Sequence, residues 1–389
     1  MKELLQIEIQ AFINQQLDKP AADLLFLAKK HPDWDMVAIA QQVEGKQKAK
    51  NKLPTWFQQE GLLYPVRLSM EQCSSELTAQ YKSKLCKGEN FIDLTGGFGV
   101  DSYFISQSFK KGVHCELNSE LQAIVAHNFK TLEANIQSFN EDGLKHLQKT
   151  AEQFDLTYID PARRGSANQK VIRLEDYTPN ILEHLDLLFE KGKQILLKTA
   201  PLLDIKQVLS QLPHIKEVHV VAVNNECKEV LYLLDKEQTT SPTIHCVDLS
   251  KKNQFDFLYQ NEEAICSTEL PLKYLYEPNV SILKAGAFNS IGNAFDLQKL
   301  HPNSHLYTSN KLLNDFPGRR FFIEERTKLN KKELAILLPN KKANITRRNF
   351  PLSVADIRKK TGLKEGGDKY LFATTLKDNK PTILVCSKI

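Results

Sequence analysis

The stretch FIDLTGGFGVDS, residues 91–102, decides the fold of this chain. Its short apolar run ends in Asp93 and predicts a buried strand, and the glycines that follow predict a tight turn into a helix that begins near Asp101. A second apolar run, HCEL, ends the next predicted strand near Glu116. Strand, glycine-rich loop, helix and a strand ending in an acid together predict a site for an adenosine-containing ligand, with Glu116 accepting hydrogen bonds from ribose hydroxyls.

Short apolar runs alternate with helix-like segments on the C-terminal side of this loop. The runs are GVHCEL (112–117), DLTYID (155–160), QILLKTA (194–200), EVHVVAV (217–223) and EVLYLL (229–234). Such alternation is typical of an α/β fold with a parallel sheet covered by helices on both faces. The last two runs are joined by only NNECK, and a connection this short predicts an antiparallel hairpin at the sheet edge.

The rest of the chain suggests three further regions around this sheet domain. Residues 1–88 have helical spacing of apolar residues and predict an N-terminal helical region, and the sheet domain extends over 89–272. Residues 273–317 predict a small α+β module. In 318–389, LSVADIRKKTG predicts a helix with Ser353 as N-cap, Asp356 at its third position and Gly362 past its end, followed by a hairpin of YLFATTL and TILVCS.

Composition excludes several protein classes. The 389 residues are 41% hydrophobic and 25% charged, which is typical of a globular protein and not of a disordered or fibrous one. No apolar stretch reaches the ~18 residues of a membrane span, and the N-terminus lacks the features of a secretory signal, so we expect a cytoplasmic protein with no membrane partner. The seven cysteines form no CxxC pair, and His301 and His305 flank Pro302 in a predicted loop. We therefore expect neither a disulfide framework nor a metal site.

The charge of the chain is concentrated at its C-terminal end. Residues 318–389 contain 18 Lys and Arg against 7 Asp and Glu, a balance of +11, while 1–317 contain 34 against 40, a balance of −6. This asymmetry favours a polyanionic partner at the basic end over an ordinary solvated surface. Two pairs at predicted strand ends, Arg319 with Arg320 and Arg347 with Arg348, are the predicted phosphate contacts, against the alternative of plain surface charge.

The glycine loop alone is also compatible with an NAD site, because Ser102 departs only modestly from the third glycine of a dinucleotide fingerprint. The continuation of the chain separates the two interpretations. QSFNEDGLKHL brings Asp142 to the end of a third strand, and FDLTYIDPARRG ends a fourth strand in Asp160-Pro161-Ala162-Arg163. In this order of elements the chain resembles the class I S-adenosylmethionine-dependent methyltransferases, with Thr95 in place of the first loop glycine.

This resemblance implies a Rossmann-like methyltransferase sheet and a role for each matching position. Asp93, Thr95, Gly97 and Gly99 lie around the methionine part of S-adenosylmethionine, Glu116 binds its ribose, and Asp142 lies near its adenine amine. Asp160, Pro161 and Arg163 form the transfer site. The SMEQCSSE segment precedes the sheet where a flanking helix of these enzymes closes over the cofactor, so Gln72 and Ser74 are further predicted cofactor contacts, against the alternative of a solvated helix start.

The resemblance to one bacterial branch covers nearly the whole chain. SMEQCSSELTAQYK, IDPARRG, RRNFPLSVADIRKK and KEGGDKYLFATTL are similar to methyltransferases that carry a small ferredoxin-like module and a C-terminal THUMP-like domain. THUMP and THUMP-like domains are associated with RNA-modifying enzymes, so the resemblance implies ribosomal or transfer RNA as the partner.

The transfer motif narrows the expected chemistry. Enzymes that methylate base amines resemble Asp/Asn-Pro-Pro followed by an aromatic residue that stacks on the base, whereas Arg163 stands there in this chain and could stack or bind phosphate. The next strand ends in Lys198-Thr199-Ala200-Pro201 without a cysteine, which disfavours covalent C5 chemistry. We expect methylation of a base nitrogen in RNA. The alternatives are a non-catalytic RNA- or ribosome-binding protein and a methyltransferase with a protein or small-molecule acceptor.

Overall fold

The computed structural model describes residues 2–163, 173–251 and 253–389. Two compact units make up the chain. The first unit contains residues 1–216 and 231–239, and the second contains 217–230 and 240–389.

Fourteen α-helices and eighteen strands are found in the described residues. The helices are α1 Ile7–Gln15, α2 Met36–Lys52, α3 Pro54–Gln58, α4 Arg67–Gln72, α5 Glu76–Lys82, α6 Val100–Ser106, α7 Ser119–Thr131, α8 Gly143–Lys149, α9 Leu185–Lys191, α10 Ile205–Gln211, α11 Val280–Ala285, α12 Ser290–Ala294, α13 Lys331–Leu337 and α14 Val354–Thr361. The strands are β1 Gly88–Asp93, β2 Phe109–Cys115, β3 Ile136–Phe139, β4 Phe154–Ile159, β5 Ala162–Arg163, β6 Tyr177–Thr178, β7 Gly192–Thr199, β8 Ile215–Val223, β9 Glu226–Asp235, β10 Thr243–Asp248, β11 Asn253–Leu258, β12 Tyr274–Pro278, β13 Gln298–Lys299, β14 Tyr307–Ser309, β15 Gly318–Thr327, β16 Asn344–Arg348, β17 Lys369–Thr375 and β18 Pro381–Lys388.

The first unit contains the parallel sheet that the alternating apolar runs predict. Its strand order is β7-β4-β1-β2-β3, with the C-terminal half of β9 beside β7, and β1 pairs in parallel with both β2 and β4. Phe91 and Ile92 of β1 are fully buried, as expected for a strand covered on both faces. The predicted α/β fold is confirmed, and the carboxyl ends of β1, β2, β3 and β4 meet at one edge of this sheet.

The N-terminal region is helical, as predicted, and it has its own apolar clusters. One cluster joins α1 and α2 with the 3₁₀ segment Ala21–Lys30, and a second packs the segment from α3 to α5 against α6 and α7. Asp35 caps α2 by accepting hydrogen bonds from the amides of Val37 and Ala38. Through these contacts α5 lies beside α6, the helix that follows the glycine loop.

The second unit contains strands of two sheets. In the first, strands follow the order β11-β10-β8-β9, where β10 is parallel to β8 and antiparallel to β11. Asn224 and Asn225, both at positive φ, connect β8 to β9 in a turn shorter than NNECK, and this pair of angles is typical of the tightest hairpins. Strands β10 and β11 are additional to those that the sequence predicts. Because β10 pairs with β8, the prediction that the hairpin lies at the sheet edge is wrong.

The other sheet of the second unit has seven strands in the order β13-β14-β12-β15-β18-β17-β16. The local predictions for its C-terminal part are confirmed. Ser353 and Asp356 form a reciprocal capping box at α14, Gly362 ends that helix in the left-handed conformation, and β17 and β18 form the predicted antiparallel hairpin. No helix in the described part of the chain is both long enough and apolar enough to cross a membrane.

Candidate active site

The carboxylate of Asp93, the residue that ends β1, holds the glycine loop in place through two hydrogen bonds. Oδ1 of Asp93 accepts the amide of Thr95 at 2.9 Å, and Oδ2 accepts the Ser102 hydroxyl at 2.5 Å. Burial raises the pKa of Asp93 to about 7, although both hydrogen bonds work against the increase. Asp93 therefore fixes the shape of the loop from a buried position, as the acid that ends β1.

The loop itself presents open backbone to the carboxyl edge of the sheet. Gly97 has a φ of +55°, and a Cβ built on it would meet only the carbonyl oxygen of Thr95, at 3.8 Å. Gly99 also has a positive φ, but a Cβ there would press against Phe129 at 2.7 Å. Gly99 is thus required for packing, whereas Gly97 leaves room in front of the backbone for a ligand.

Glu116, the acid after β2, reaches back to this open part of the loop. Its Oε2 accepts the amide of Gly97 at 2.9 Å, and its Oε1 accepts the amide of Asn118 at 2.7 Å. The structure thus brings the predicted ribose acid against the predicted glycine of the loop.

Asp160 lies at the same edge and is joined to the loop through Thr95. The Asp160 amide donates to the Thr95 hydroxyl at 2.7 Å, and the Lys198 ammonium at the end of β7 donates to Oδ2 of Asp160 at 2.5 Å. The Asp160 side chain is 38% exposed and that of Lys198 only 13%. Pro161, the next residue, is buried. The carboxylate of Asp160 is consequently held in place while remaining open to solvent.

Behind Asp160 lies a buried network centred on Asp101. Its Oδ2 accepts hydrogen bonds from the hydroxyls of Ser74 at 2.8 Å and Tyr158 at 2.7 Å, and lies 3.8 Å from the Lys198 ammonium. The Lys82 ammonium, whose side chain is fully buried, lies 3.2 Å from Oδ1. Burial by itself would raise the pKa of Asp101, but the two lysines and the two hydroxyls hold it below its ordinary value.

The other three predicted cofactor residues differ from one another in exposure and contacts. Ser74 is buried against Asp101 and is not open to a ligand, in contrast to its predicted role as a direct contact. Gln72 is exposed at the end of α4. Asp142 caps α8 through Oδ1, which accepts the amides of Leu144 and Lys145, and the following Gly143 packs directly on the backbone of Leu94 in the loop strand. The side chain of Asp142 is thus anchored beside the loop.

Arg163 is half-buried and short of partners. Its Nε and Nη2 atoms are buried and have no hydrogen bond within the described residues, and the same is true of the hydroxyl of Tyr177, its neighbour in the β5–β6 pair. A buried guanidinium without an acceptor is costly, so an anion or a base edge from a ligand would stabilise it. The last two residues of the IDPARRG motif lie outside the described residues.

The four arginines predicted to contact phosphate all have partners within the second unit. Arg319 donates from Nε to Oε2 of Glu277 at 2.6 Å, and Arg348 donates from Nη2 to Oε1 of the same carboxylate at 3.1 Å. Arg320 donates to the carbonyl of Asn314 at 2.8 Å, and Arg347 to that of Phe350 at 3.0 Å. Their role as phosphate contacts remains a prediction, and these bonds give each of them a structural role as well.

The lysines that pair with the acids at this edge were not predicted from the sequence. Lys82 lies at the end of α5, before the first strand of the sheet, and no sequence pattern connects it with Asp101 in α6. One signal was present for Lys198, since it lies at the end of β7, and β7 is the neighbour of β4, the strand that precedes Asp160.

A groove of about 640 Å³ lies at the opposite edge of the sheet, away from the glycine loop and Asp160. Its lining, which includes Lys87, Asp155 and Lys193, is mixed in charge.

Comparisons with known proteins agree with this architecture. A model of a ferredoxin-like domain matches residues 274–317, and a THUMP domain-like model matches residues 318–388. A candidate methyltransferase from Porphyromonas gingivalis W83, known from a crystal structure, is 33% identical in sequence to this chain. The alignment covers 100% of this chain and 98% of the Porphyromonas gingivalis chain, and the two structures superimpose with a TM-score of 0.87. An uncharacterized RNA methyltransferase from Mycoplasma mobile is 28% identical over 144 residues, which are 35% of this chain and 39% of that relative. The match spans well under half of the curated relative.

The parallel sheet, the glycine loop with its two acids and the Asp160 motif define a class I methyltransferase, an enzyme of the S-adenosylmethionine-dependent type. Because the Porphyromonas gingivalis protein is related to it over its full length, the chain belongs to the bacterial methyltransferase family that carries a ferredoxin-like and a THUMP-like domain after the catalytic sheet.

Proposed function

We propose that this methyltransferase uses S-adenosylmethionine to methylate a nitrogen of a base in RNA, with Asp160 as the residue that contacts the acceptor. The single observation that carries the proposal is the position of the Asp160 carboxylate. It is fixed to the glycine loop through Thr95 and to Lys198 through Oδ2, and it is open at the edge where the loop lies.

The residues at the loop fit S-adenosylmethionine. The open space in front of Gly97 admits a ligand to the backbone, and the carboxylate of Glu116 beside it is a suitable acceptor for ribose hydroxyls. Asp142 and the start of α8 flank the loop from the next strand, where an adenine amine would find an acceptor. When bound, S-adenosylmethionine supplies an electrophilic methyl carbon on a sulfonium.

The protein's share of the reaction is alignment and removal of a proton. Within the described residues Oδ1 of Asp160 has no hydrogen-bond partner, so it can accept the N–H of a base and direct the nitrogen lone pair toward the methyl donor. As the nitrogen formed its bond to the methyl carbon, the carbon–sulfur bond would break, and its electron pair would leave on sulfur as a neutral thioether. The nitrogen would lose this proton to Oδ1 of Asp160, from which it would pass to water. The buried guanidinium atoms of Arg163 supply donors for a phosphate or a face for the base.

Three observations support RNA as the acceptor. The Mycoplasma mobile relative is named as an RNA methyltransferase, a THUMP domain-like model matches the C-terminal residues, and that region carries the excess of positive charge.

Three exposed lysines of the C-terminal region form the surface that we favour for contact with RNA. Lys341, Lys342 and Lys364, here called the lysine patch, lie on two adjacent backbone segments, since the Lys364 amide donates to the Lys341 carbonyl at 2.9 Å. None of the three forms an ion pair with any described residue.

The test of this proposal is transfer of tritiated methyl from S-adenosylmethionine to total RNA from cells that lack the gene. We expect label that nuclease removes and protease does not, and Asp160→Ala should reduce it by about 10³-fold while the cofactor still binds. Label that only protease removes would show a protein acceptor. Cofactor binding without label in any acceptor would favour the non-catalytic RNA- or ribosome-binding protein.

A second arm tests the lysine patch. Reversal of all three charges to Glu should weaken RNA binding and lower the slope of log affinity against log salt by about 2, because each phosphate neutralised on a single strand contributes roughly 0.7 to that slope. The control is the same change at Lys19, Lys29 and Lys30, which are exposed in the N-terminal region. An equal weakening in both variants would show a general charge effect and would contradict a specific surface.

A further inference from the structure

Three side chains with metal-binding atoms converge on one face of the β8–β10 pair. Glu217 and His219 are two residues apart on β8 and therefore project from the same face of the sheet. His245 on β10 is the register partner of His219, so it lies on that face as well. Their ligand atoms all lie within 4.8 Å of one another.

The two imidazoles are directed at one carboxylate oxygen. Nε2 of His219 lies 3.1 Å from Oε2 of Glu217, and Nε2 of His245 lies 3.9 Å from the same atom. The rings are stacked, with centroids 4.5 Å apart and an angle of 14° between their planes. Ligands bonded to a tetrahedral zinc ion at about 2.0–2.2 Å are roughly 3.4 Å apart, so small side-chain rotations would bring these three atoms around one ion.

A further carboxylate orients one of the histidines. Nδ1 of His245 lies 2.9 Å from Oδ1 of Asp256, and Asp256 in turn accepts hydrogen bonds from Nε2 of Gln254. A carboxylate on the remote nitrogen places the proton on Nδ1 and leaves the lone pair on Nε2, which is the usual arrangement around histidines that ligate metals.

We propose that Glu217, His219 and His245 bind one divalent transition-metal ion, with Zn²⁺ as the best fit. Two imidazoles and one carboxylate are a ligand set that suits zinc, and three protein ligands leave a fourth position for water or an external ligand. The ion would link β8 to β10 within the second unit. This site is independent of the proposed methyl transfer, because none of its residues belongs to the glycine loop or the Asp160 motif.

The ordinary alternative is an ion pair, in which a protonated His245 lies between Glu217 and Asp256 without any metal. The two arrangements differ in what they predict on addition of zinc. An ion pair binds no zinc with useful affinity, and zinc would not change its stability. A metal site binds one equivalent and raises the melting temperature, since a ligand that binds only the folded state stabilises it.

The experiment uses the full chain, freed of any polyhistidine tag and treated with chelator, titrated with ZnCl₂ by calorimetry and separately with CoCl₂ for its visible absorption. We expect one ion per chain. His245→Ala and Glu217→Gln, both at partly exposed positions, should each weaken binding at least 100-fold, and Asp256→Asn about 10- to 100-fold. His301→Ala, a histidine of the same unit outside the cluster, should bind zinc as the wild type does.

Zinc binding that is equally strong in His245→Ala and in wild type would overturn the proposal, as would a wild-type chain that takes up no ion. Cobalt spectra add a test that does not depend on affinity. A tetrahedral site gives intense visible bands, and these should disappear in His245→Ala while persisting in His301→Ala.

Discussion

Each unit contains a buried carboxylate held between two basic side chains, and the two differ in what lies beyond them. In the first unit Asp101 lies between Lys82 and Lys198, and Lys198 also pairs with the exposed carboxylate of Asp160. In the second unit Glu277, with a side chain only 4% exposed, lies between Arg319 and Arg348. We call the first arrangement open, because Lys198 connects it to the exposed carboxylate of Asp160. We call the second arrangement closed, because both of its arginines pair with the one buried carboxylate of Glu277. The same charge pattern therefore reaches an exposed carboxylate at the sheet edge in one unit and surrounds a single buried carboxylate in the other.

The largest expected effect is at the open arrangement. Lys198→Ala should lower the rate of methyl transfer by about 10²-fold with little change in cofactor affinity, because the Asp160 carboxylate loses the ammonium that holds it in position. Lys193 and Asp155, at the other end of the same two strands, provide the control, since they form a similar pair at 2.6 Å. Lys193→Ala should transfer methyl at the wild-type rate. A comparable drop in both variants would show that Lys198 acts only through folding.

At the closed arrangement, removal of the carboxylate of Glu277 should lower the free energy of unfolding. Glu277→Gln leaves two partly buried guanidinium groups without their carboxylate, and we expect a loss of about 3 kcal/mol in the free energy of unfolding, measured with denaturant. Glu269→Gln removes a more exposed partner from Lys377 and should cost below about 1 kcal/mol. If Glu277→Gln is as mild as this control, the arginines are not held by that carboxylate in solution and are available to phosphate.

A smaller effect, dependent on pH, is expected at Asp93. Its pKa rises from 3.8 to about 7 on folding, so the folded protein holds a proton that the unfolded chain releases. The resulting stabilisation is complete below about pH 4 and is lost as the pH rises through 7. Relative to Asp93→Asn, the wild type should lose on the order of 2 kcal/mol between pH 5 and pH 8.

Denaturant unfolding of both proteins at the two pH values tests this expectation. Asp35→Asn makes the same chemical change at an exposed helix cap, and there the difference from wild type should be small. A wild-type stability that does not fall relative to Asp93→Asn would mean that Asp93 is not buried as described.

Local sequence patterns predicted most of the fold. The strand before Asp93, the helix from Ser353 to Gly362 and the β17–β18 hairpin depend on neighbouring residues, and all three were confirmed. The strands β10 and β11 were missed, although β11 alternates buried Phe255 and Phe257 with more exposed residues. No helix-like segment precedes them, so the alternation that indicated the earlier strands was absent.

Residues of the site were predictable where one segment carries the motif, and not where separate segments meet. Asp93, Gly97 and Glu116 follow from loop and strand order. The contacts of Lys82 and Ser74 with Asp101 join a helix before the sheet to the helix after the loop, and nothing in either segment indicates the other. The meeting of His245 with Glu217 likewise depends on the parallel register of β10 against β8.

The Thr95 hydroxyl couples two separate segments of the chain. In the methyltransferase pattern a glycine stands at this position, yet here the hydroxyl accepts the amide of Asp160 and so ties the loop to the transfer motif. The effects of substitutions at position 95 and in the segment that begins at Asp160 should therefore not be additive. Thr95→Gly removes the acceptor of the Asp160 amide, whereas Thr95→Ser keeps it.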